Sequence, residues 1–192
     1  MKTFTKEVQE LRLQIRHDDM AESPRLYDDV LGYFVTKERN RFSPDMGMEA
    51  EDIVVSTGEE ANSQQEHMDM IKAAIEKTGE KVQAIYPIVK YEHGGVKYML
   101  SARQGFDYSN CGFYIVTDKT NVMDEPKAEF EKIIQAELDL FNAWVNGEIY
   151  RFTLFNEDGE ETDSCGGFVN IEDIRAHLPK DWSSEKLEDY IV

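Results

Sequence analysis

Apolar and polar residues alternate with a period of two along Leu11-Arg12-Leu13-Gln14-Ile15-Arg16, the pattern of a strand with one wet face, and Asp18-Asp19 closes it. After the turn-forming Glu22-Ser23-Pro24-Arg25, the unbroken run Val30-Leu31-Gly32-Tyr33-Phe34-Val35 predicts a second, more buried strand. Thr57 stands three residues before Glu60 as a capping box, and Ala61, Met68, Ile71 and Ile75 then recur at near-helical spacing, so a helix is expected that Gly79 ends. Val82 to Tyr91 is rich in Ile, Val and Tyr, and Gly94-Gly95 folds it back onto Val96-Lys97-Tyr98-Met99-Leu100 as a hairpin. Another strand is expected at Phe113-Tyr114-Ile115-Val116.

Asp124 is placed to cap a long helix whose apolar stripe is Phe130, Ile133, Ile134, Phe141, Trp144 and Val145, with Asn146-Gly147 as its stop. Glu148 to Phe155 then reads as a strand, Asp158-Gly159 as a turn and Glu160 to Val169 as the returning partner. Asn170 caps a short helix through His177, ended by Leu178-Pro179, and Ser183 or Ser184 caps a last one, so residues 170–192 form a short C-terminal helical segment. Strands cluster in hairpins with helices inserted between them, which predicts an α+β fold: a single domain over residues 1–192, its β-sheet mostly antiparallel or mixed, with helices packed on it. The expected core is Leu13, Ile15, Phe34, Val35, Ile85, Ile88, Tyr98, Ile115, Phe130, Ile134, Phe141, Trp144, Tyr150, Phe152 and Phe168.

Composition agrees with a folded chain, since 41% of its 192 residues are hydrophobic and 11% aromatic. Charge narrows the function: 39 Asp and Glu against 21 Lys and Arg give −18, which disfavours direct binding to a nucleic-acid backbone or an acidic membrane. No run of 18 apolar residues occurs, and no apolar core follows the charged N-terminus, so neither a membrane span nor a secretory signal is expected and the location reads as cytoplasmic.

No dinucleotide, Walker, zinc-protease, hydrolase-elbow or EF-hand spacing is present, so no cofactor and no metal site is expected. Cys111 and Cys165 lack zinc-ligand spacing and are expected as buried or half-buried free thiols. Cys165 followed by Gly166-Gly167 would let a substrate approach, which defines an alternative enzyme reading. In that reading, a small hydrolase or transferase uses Cys165 as nucleophile, His93 or His177 as base, and Asp163 or Glu92 as orienting carboxylate. A bulge or tight turn in a strand explains the same glycines without catalysis.

Acids are the stronger signal. Residues 42–71 hold Asp45, Glu49, Glu51, Asp52, Glu59, Glu60, Glu66 and Asp69 and no Lys or Arg, and a second cluster, Glu157, Asp158, Glu160, Glu161 and Asp163, falls on the last hairpin turn. A face of ordered carboxylates fits a groove built for nucleic acid, so these acids are candidate contacts for a basic partner by DNA mimicry. A merely solubilising surface is the competing explanation.

Several strings together resemble a group of small uncharacterised proteins encoded by bacteriophages and mobile elements of bacteria. They are Glu22-Ser23-Pro24-Arg25, Tyr91-Glu92-His93-Gly94-Gly95, Cys111-Gly112-Phe113-Tyr114-Ile115-Val116, Glu137 to Tyr150, and Asp163-Ser164-Cys165-Gly166-Gly167-Phe168, in order over residues 9–169. The group usually shows Trp-Asp-Ser-Gly-Gln-Val-Gly where this chain has Asp107 to Phe113, and a Trp where it has Gly166. The resemblance implies a setting rather than a mechanism: an accessory protein in the cytoplasm of an infected or element-carrying bacterium. Joined to the charge, it points to a counter-defence inhibitor of anti-restriction or anti-CRISPR type, whose partner is a basic host or phage protein such as a nucleic-acid-binding enzyme. Binding is favoured over catalysis. With −18 per chain opposing self-association, a monomer or weak homodimer is expected.

Overall fold

The computed structural model describes residues 11–36, 61–100, 107–182 and 184–192. The fold is α+β, with two antiparallel sheets in two units, Ser23–Asn146 and Met1–Glu22 with Gly147–Val192.

In the first unit, strands β2 (Tyr33–Thr36), β3 (Val82–Glu92), β4 (Val96–Met99) and β5 (Tyr108–Thr117) form a sheet of order β2-β5-β3-β4. Helix α1 (Gln64–Glu76) packs Ile71 and Ile75 against Phe113, Ile115 and Val35, whereas α2 (Phe130–Val145) packs Phe130, Ile134, Leu138 and Phe141 against Tyr114, Val116 and Phe34. Alternate residues of β5 thus serve two opposite cores. That is why Cys111 to Thr117 is buried throughout and its sequence shows no alternation. Pro87, which has no N–H to donate, pairs with Phe113 on one side and precedes the stretch that β4 joins at Val89.

β4 is an edge strand, and its outer backbone groups find partners on α2. Asn142 Oδ1 accepts from Tyr98 N at 2.7 Å while its Nδ2 donates to Tyr98 O at 2.9 Å. One turn later Asn146 makes the same pair with Val96, at 2.9 and 2.7 Å. Two amides four residues apart on one helix face therefore substitute for a neighbouring strand and close the edge.

The second unit has β1 (Arg12–His17), β6 (Tyr150–Phe155) and β7 (Glu161–Phe168) in order β1-β6-β7. Leu13, Ile15, Phe152 and Leu154 lie on one face beneath Ile174 of the short α3 (Ile171–Ile174) and Leu187 of a 3₁₀ turn. The outer side of β1 bonds to the end of the chain, Val192 N donating to Ile15 O at 3.0 Å.

Most expected elements stand, including both hairpins and the Asn170 cap, whose Oδ1 accepts from Glu172 N at 3.0 Å. The departures have local causes. β2 begins at Tyr33 rather than Val30, because Leu31 and Gly32 direct their N–H groups to side chains of α2 and β5. Asp124 does not cap α2. It occupies a left-handed turn with φ 53°, and a 3₁₀ turn at Lys127–Glu129 leads into the helix. α1 is capped by Ser63, whose Oγ accepts from Glu66 N at 3.1 Å, while Thr57 and Glu60 lie outside the described residues. The C-terminal segment forms 3₁₀ turns after α3, and the last of these, Leu187–Tyr190, has Lys186 as an N-cap without a side-chain bond. Of the expected core, Ile85, Trp144, Tyr150 and Phe168 are half-buried and the other eleven buried. Among the described residues no helix is long and apolar enough to cross a membrane.

Two substitutions test this packing. Phe141→Ala empties a fully buried site and should cost about 3–5 kcal/mol in denaturant unfolding. Asn142→Leu keeps the volume but strands both backbone groups of Tyr98, and should cost about 2–4 kcal/mol, clearly more than Asn146→Leu at its exposed position.

Candidate functional site

Of the acids expected to meet a partner, Asp45, Glu49, Glu51, Asp52, Glu59 and Glu60 lie outside the described residues. Glu66 and Asp69 are exposed on the first turns of α1, where negative charge favours the helix dipole. Asn62 donates its backbone N–H (2.7 Å) and its Nδ2 (3.1 Å) to Glu66 Oε2, which holds that carboxyl below its usual range, and Asp69 Oδ1 accepts from Gln65 Nε2 at 3.0 Å.

The hairpin tip is built by one side chain. Asn156 Oδ1 accepts from Glu160 N at 2.8 Å, Asn156 Nδ2 donates to the Glu160 carboxylate at 3.2 Å, and Gly159 takes the φ of 80° that the turn requires. Glu157, Asp158, Glu160, Glu161 and Asp163 all project into solvent from this rigid turn. Among the described residues, Asp158, Glu160, Glu161 and Asp163 form no ion pair; Glu161 instead accepts from Ser164 Oγ at 2.6 Å. The tip belongs to one unit and Glu66 with Asp69 to the other.

Cys111 is buried, its Sγ 3.5 Å from Ile88 O. Cys165 is exposed, which corrects the expectation of a covered thiol: it sits on β7, an edge strand whose pairing shifts register beside two glycines. Its Sγ lies 3.7 Å from its neighbour's carbonyl, Gly166 O, while His177 packs edge-on against Phe168 at 5.1 Å. No hydrogen bond joins Cys165 to an imidazole among the described residues. Asp163 is exposed on the same strand; His93 is exposed in the other unit, its ring 6.5 Å from Tyr91.

A further polar group carried no local signal in the sequence. Arg25, on a 3₁₀ turn that Ser23 caps, buries its guanidinium between the rings of Phe34 and Tyr114, 4.9 and 5.3 Å from their centroids. Nη1 donates to Glu137 Oε2 of α2 at 2.6 Å and Nη2 to Gly32 O at 2.7 Å. Tyr114 Oη donates to the same carboxylate at 2.5 Å and accepts from Gly32 N at 2.7 Å, while Leu31 N donates to Glu137 Oε1 at 2.7 Å. Gly32 is obligatory here, since a β-carbon would collide with the Ile115 carbonyl oxygen. Burial lifts the Tyr114 hydroxyl far above its ordinary pKa, so it stays a neutral donor. Beside this clamp lies an open cavity of about 390 Å³ walled by Pro24, Tyr27, Val30, Ile133 and Leu140.

Among the described residues, no three His, Cys, Asp or Glu side chains converge as metal ligands would. No family model, curated protein or solved structure matches the chain.

The clamp predicts a pH response. Because folding raises the Tyr114 pKa, the unfolded chain ionises first, so the stabilisation is whole below pH 10.0 and declines as pH rises above it. Tyr33, pushed up to about 12 by burial and the Glu80 charge, acts in the same direction. Tyr114→Phe should cost about 1–3 kcal/mol at neutral pH by leaving Glu137 and Gly32 short of partners. It should also make the alkaline decline shallower without abolishing it, as urea unfolding on both sides of pH 10.0 will show.

Proposed function

We propose that this protein is an accessory protein of a bacteriophage or mobile element, working in the host cytoplasm by binding rather than catalysis. Its acidic surface takes the place of nucleic acid against a basic partner, such as a defence enzyme that handles DNA or RNA. The observation that carries the reading is the hairpin tip, where five carboxylates in seven residues stand on a turn held rigid by Asn156. A register shift in β7 pairs Asp163 with Leu154 and Glu161 with Phe155, so these two carboxylates extend the charge of the tip onto both faces of the hairpin. Local cations are absent from Asp158, Glu160, Glu161 and Asp163, which leaves their field unneutralised for a partner. The same charge opposes self-association and supports a monomer or weak homodimer.

The catalytic alternative, Cys165 with His93 or His177 and Asp163, retains one favourable observation, the exposure of the thiol.

The test is capture from host lysate followed by competition with duplex DNA, using the wild type and a tip variant with Glu157, Asp158, Glu160 and Glu161 changed to Gln or Asn. Binding should weaken about tenfold or more as ionic strength rises from ~0.05 to ~0.5 M, and both DNA and the tip variant should reduce capture. A partner held equally by the tip variant and indifferent to DNA removes mimicry.

A further inference from the structure

In a chain so rich in carboxylates, the unpaired arginines are informative. Five arginines lie among the described residues, and two are matched by glutamate: Arg25 by Glu137 and Arg175 by Glu172. The other three, Arg12, Arg16 and Arg151, make no side-chain hydrogen bond or ion pair among the described residues, and all stand on one face of the β1-β6-β7 sheet.

That shared face follows from register. Leu13 pairs with Leu154 and Ile15 with Phe152 on the core side, which places Arg16 directly opposite Arg151, and Arg12 opposite Phe155, on the other. Directly opposed residues have β-carbons about 5 Å apart, and like charges so placed repel. Arg12 rests on the Phe155 ring, 5.0 Å from its centroid, and is accounted for by that contact. Arg16 and Arg151 have no such compensation.

Arg151 carries a second cost. Its Nε is buried and has no hydrogen-bond partner, a condition that is rare in folded proteins. One carboxylate lies nearby without pairing with Arg151. Asp18, at the end of β1, accepts from Gly167 N at 3.1 Å with Oδ2 and from Met20 N at 3.3 Å with Oδ1. Gly166 keeps the space beside Arg151 bare, since a β-carbon there would collide with the Asp18 carboxylate and lie 3.4 Å from Arg151 Cβ.

We propose that the Arg16–Arg151 pair is a binding site for a phosphate group, free or as a monoester. Two arginines at directly opposed positions carry more donors than one carboxylate can accept, whereas a phosphate has three terminal oxygens for them. A phosphate here removes the repulsion between the arginines. The ligand is a small anion rather than a nucleic-acid backbone, because −18 repels a polyanion along its length while a single phosphate meets only the surroundings of two arginines and Asp18.

The side-chain Nε–Hε signals of the ¹⁵N-labelled full chain report the outcome. Titration with inorganic phosphate should shift the Arg16 and Arg151 signals saturably, whereas chloride at matched ionic strength should not. Arg16→Gln, at an exposed position outside the core, should weaken phosphate binding about tenfold, as expected for loss of one charged hydrogen-bonding fork. Lys180→Gln should leave it unchanged. A 5′-nucleoside monophosphate binding more tightly than inorganic phosphate identifies an esterified ligand, and equal affinity identifies the free ion. Shifts that do not saturate, that chloride reproduces, or that Arg16→Gln leaves untouched overturn the site.

Discussion

A carboxylate can leave water only where cations or strong donors replace its hydration, because the penalty for an isolated buried charge is several kcal/mol. Glu137, half-buried on α2, meets that condition. Its two oxygens receive Arg25, the Tyr114 hydroxyl and the Leu31 amide, so one side chain of α2 holds the turn at Ser23-Pro24-Arg25, the entry to β2 and the middle of β5. The close approach of Gly32 to β5, the late start of β2 and the neutral state of Tyr114 all follow from satisfying that carboxylate. Replacing Glu137 with an apolar residue would take from the buried Arg25 guanidinium its carboxylate on α2, a costly loss of an ion pair.

Elsewhere neutral amides do what lysine and arginine often do in less acidic proteins. Edge strands are commonly protected by lysine, yet β4 is covered by Asn142 and Asn146. Asn156 shapes the acidic hairpin tip, Asn62 steadies Glu66 at the start of α1, and Asn121 joins Gln83 on β3 to the backbone of Glu125 ahead of α2. An amide donates and accepts at once and adds no charge. It can therefore satisfy backbone groups where 21 cations among 39 acids are too few to be placed at every edge and turn.

The elements that sequence reading recovers are those specified locally. Period two at Leu13 and Ile15, Gly94-Gly95, Asp158-Gly159, Asn170 and the stripe of α2 are signals within a few residues, and the structure follows them. What escapes is set by distance along the chain. Arg25 meets Glu137 across 112 positions, and Asn142 meets Tyr98 across 44, so no window reveals either. Asp124 has the chemistry of a cap, but Asn121 accepts from Glu125 N and donates to Glu125 O, fixing the turn ahead of it. Cys165 was expected under cover because cysteines usually are. Its exposure depends on β7 being an edge strand, a property of strand order rather than of Cys165-Gly166-Gly167. The tip acids were legible as a cluster, and what the structure adds is the Asn156 scaffold beneath them.

The second unit also shows how one small sheet keeps opposite charges from cancelling. Glu157, Asp158 and Glu160 lie beyond Phe155, at the end of the β6–β7 hairpin, whereas Arg151 is four residues back along β6 with Arg16 across from it. At about 3.4 Å per residue that separation is ~14 Å, longer than the ~8 Å over which charges are felt at physiological ionic strength. Arg12, the arginine nearest the tip, is held by the Phe155 ring instead of a carboxylate. Asp18, the acid nearest Arg151, is held by backbone amides. Each of these side chains thus meets an uncharged partner, and the strand length sets the acidic turn more than a screening length from the arginine pair.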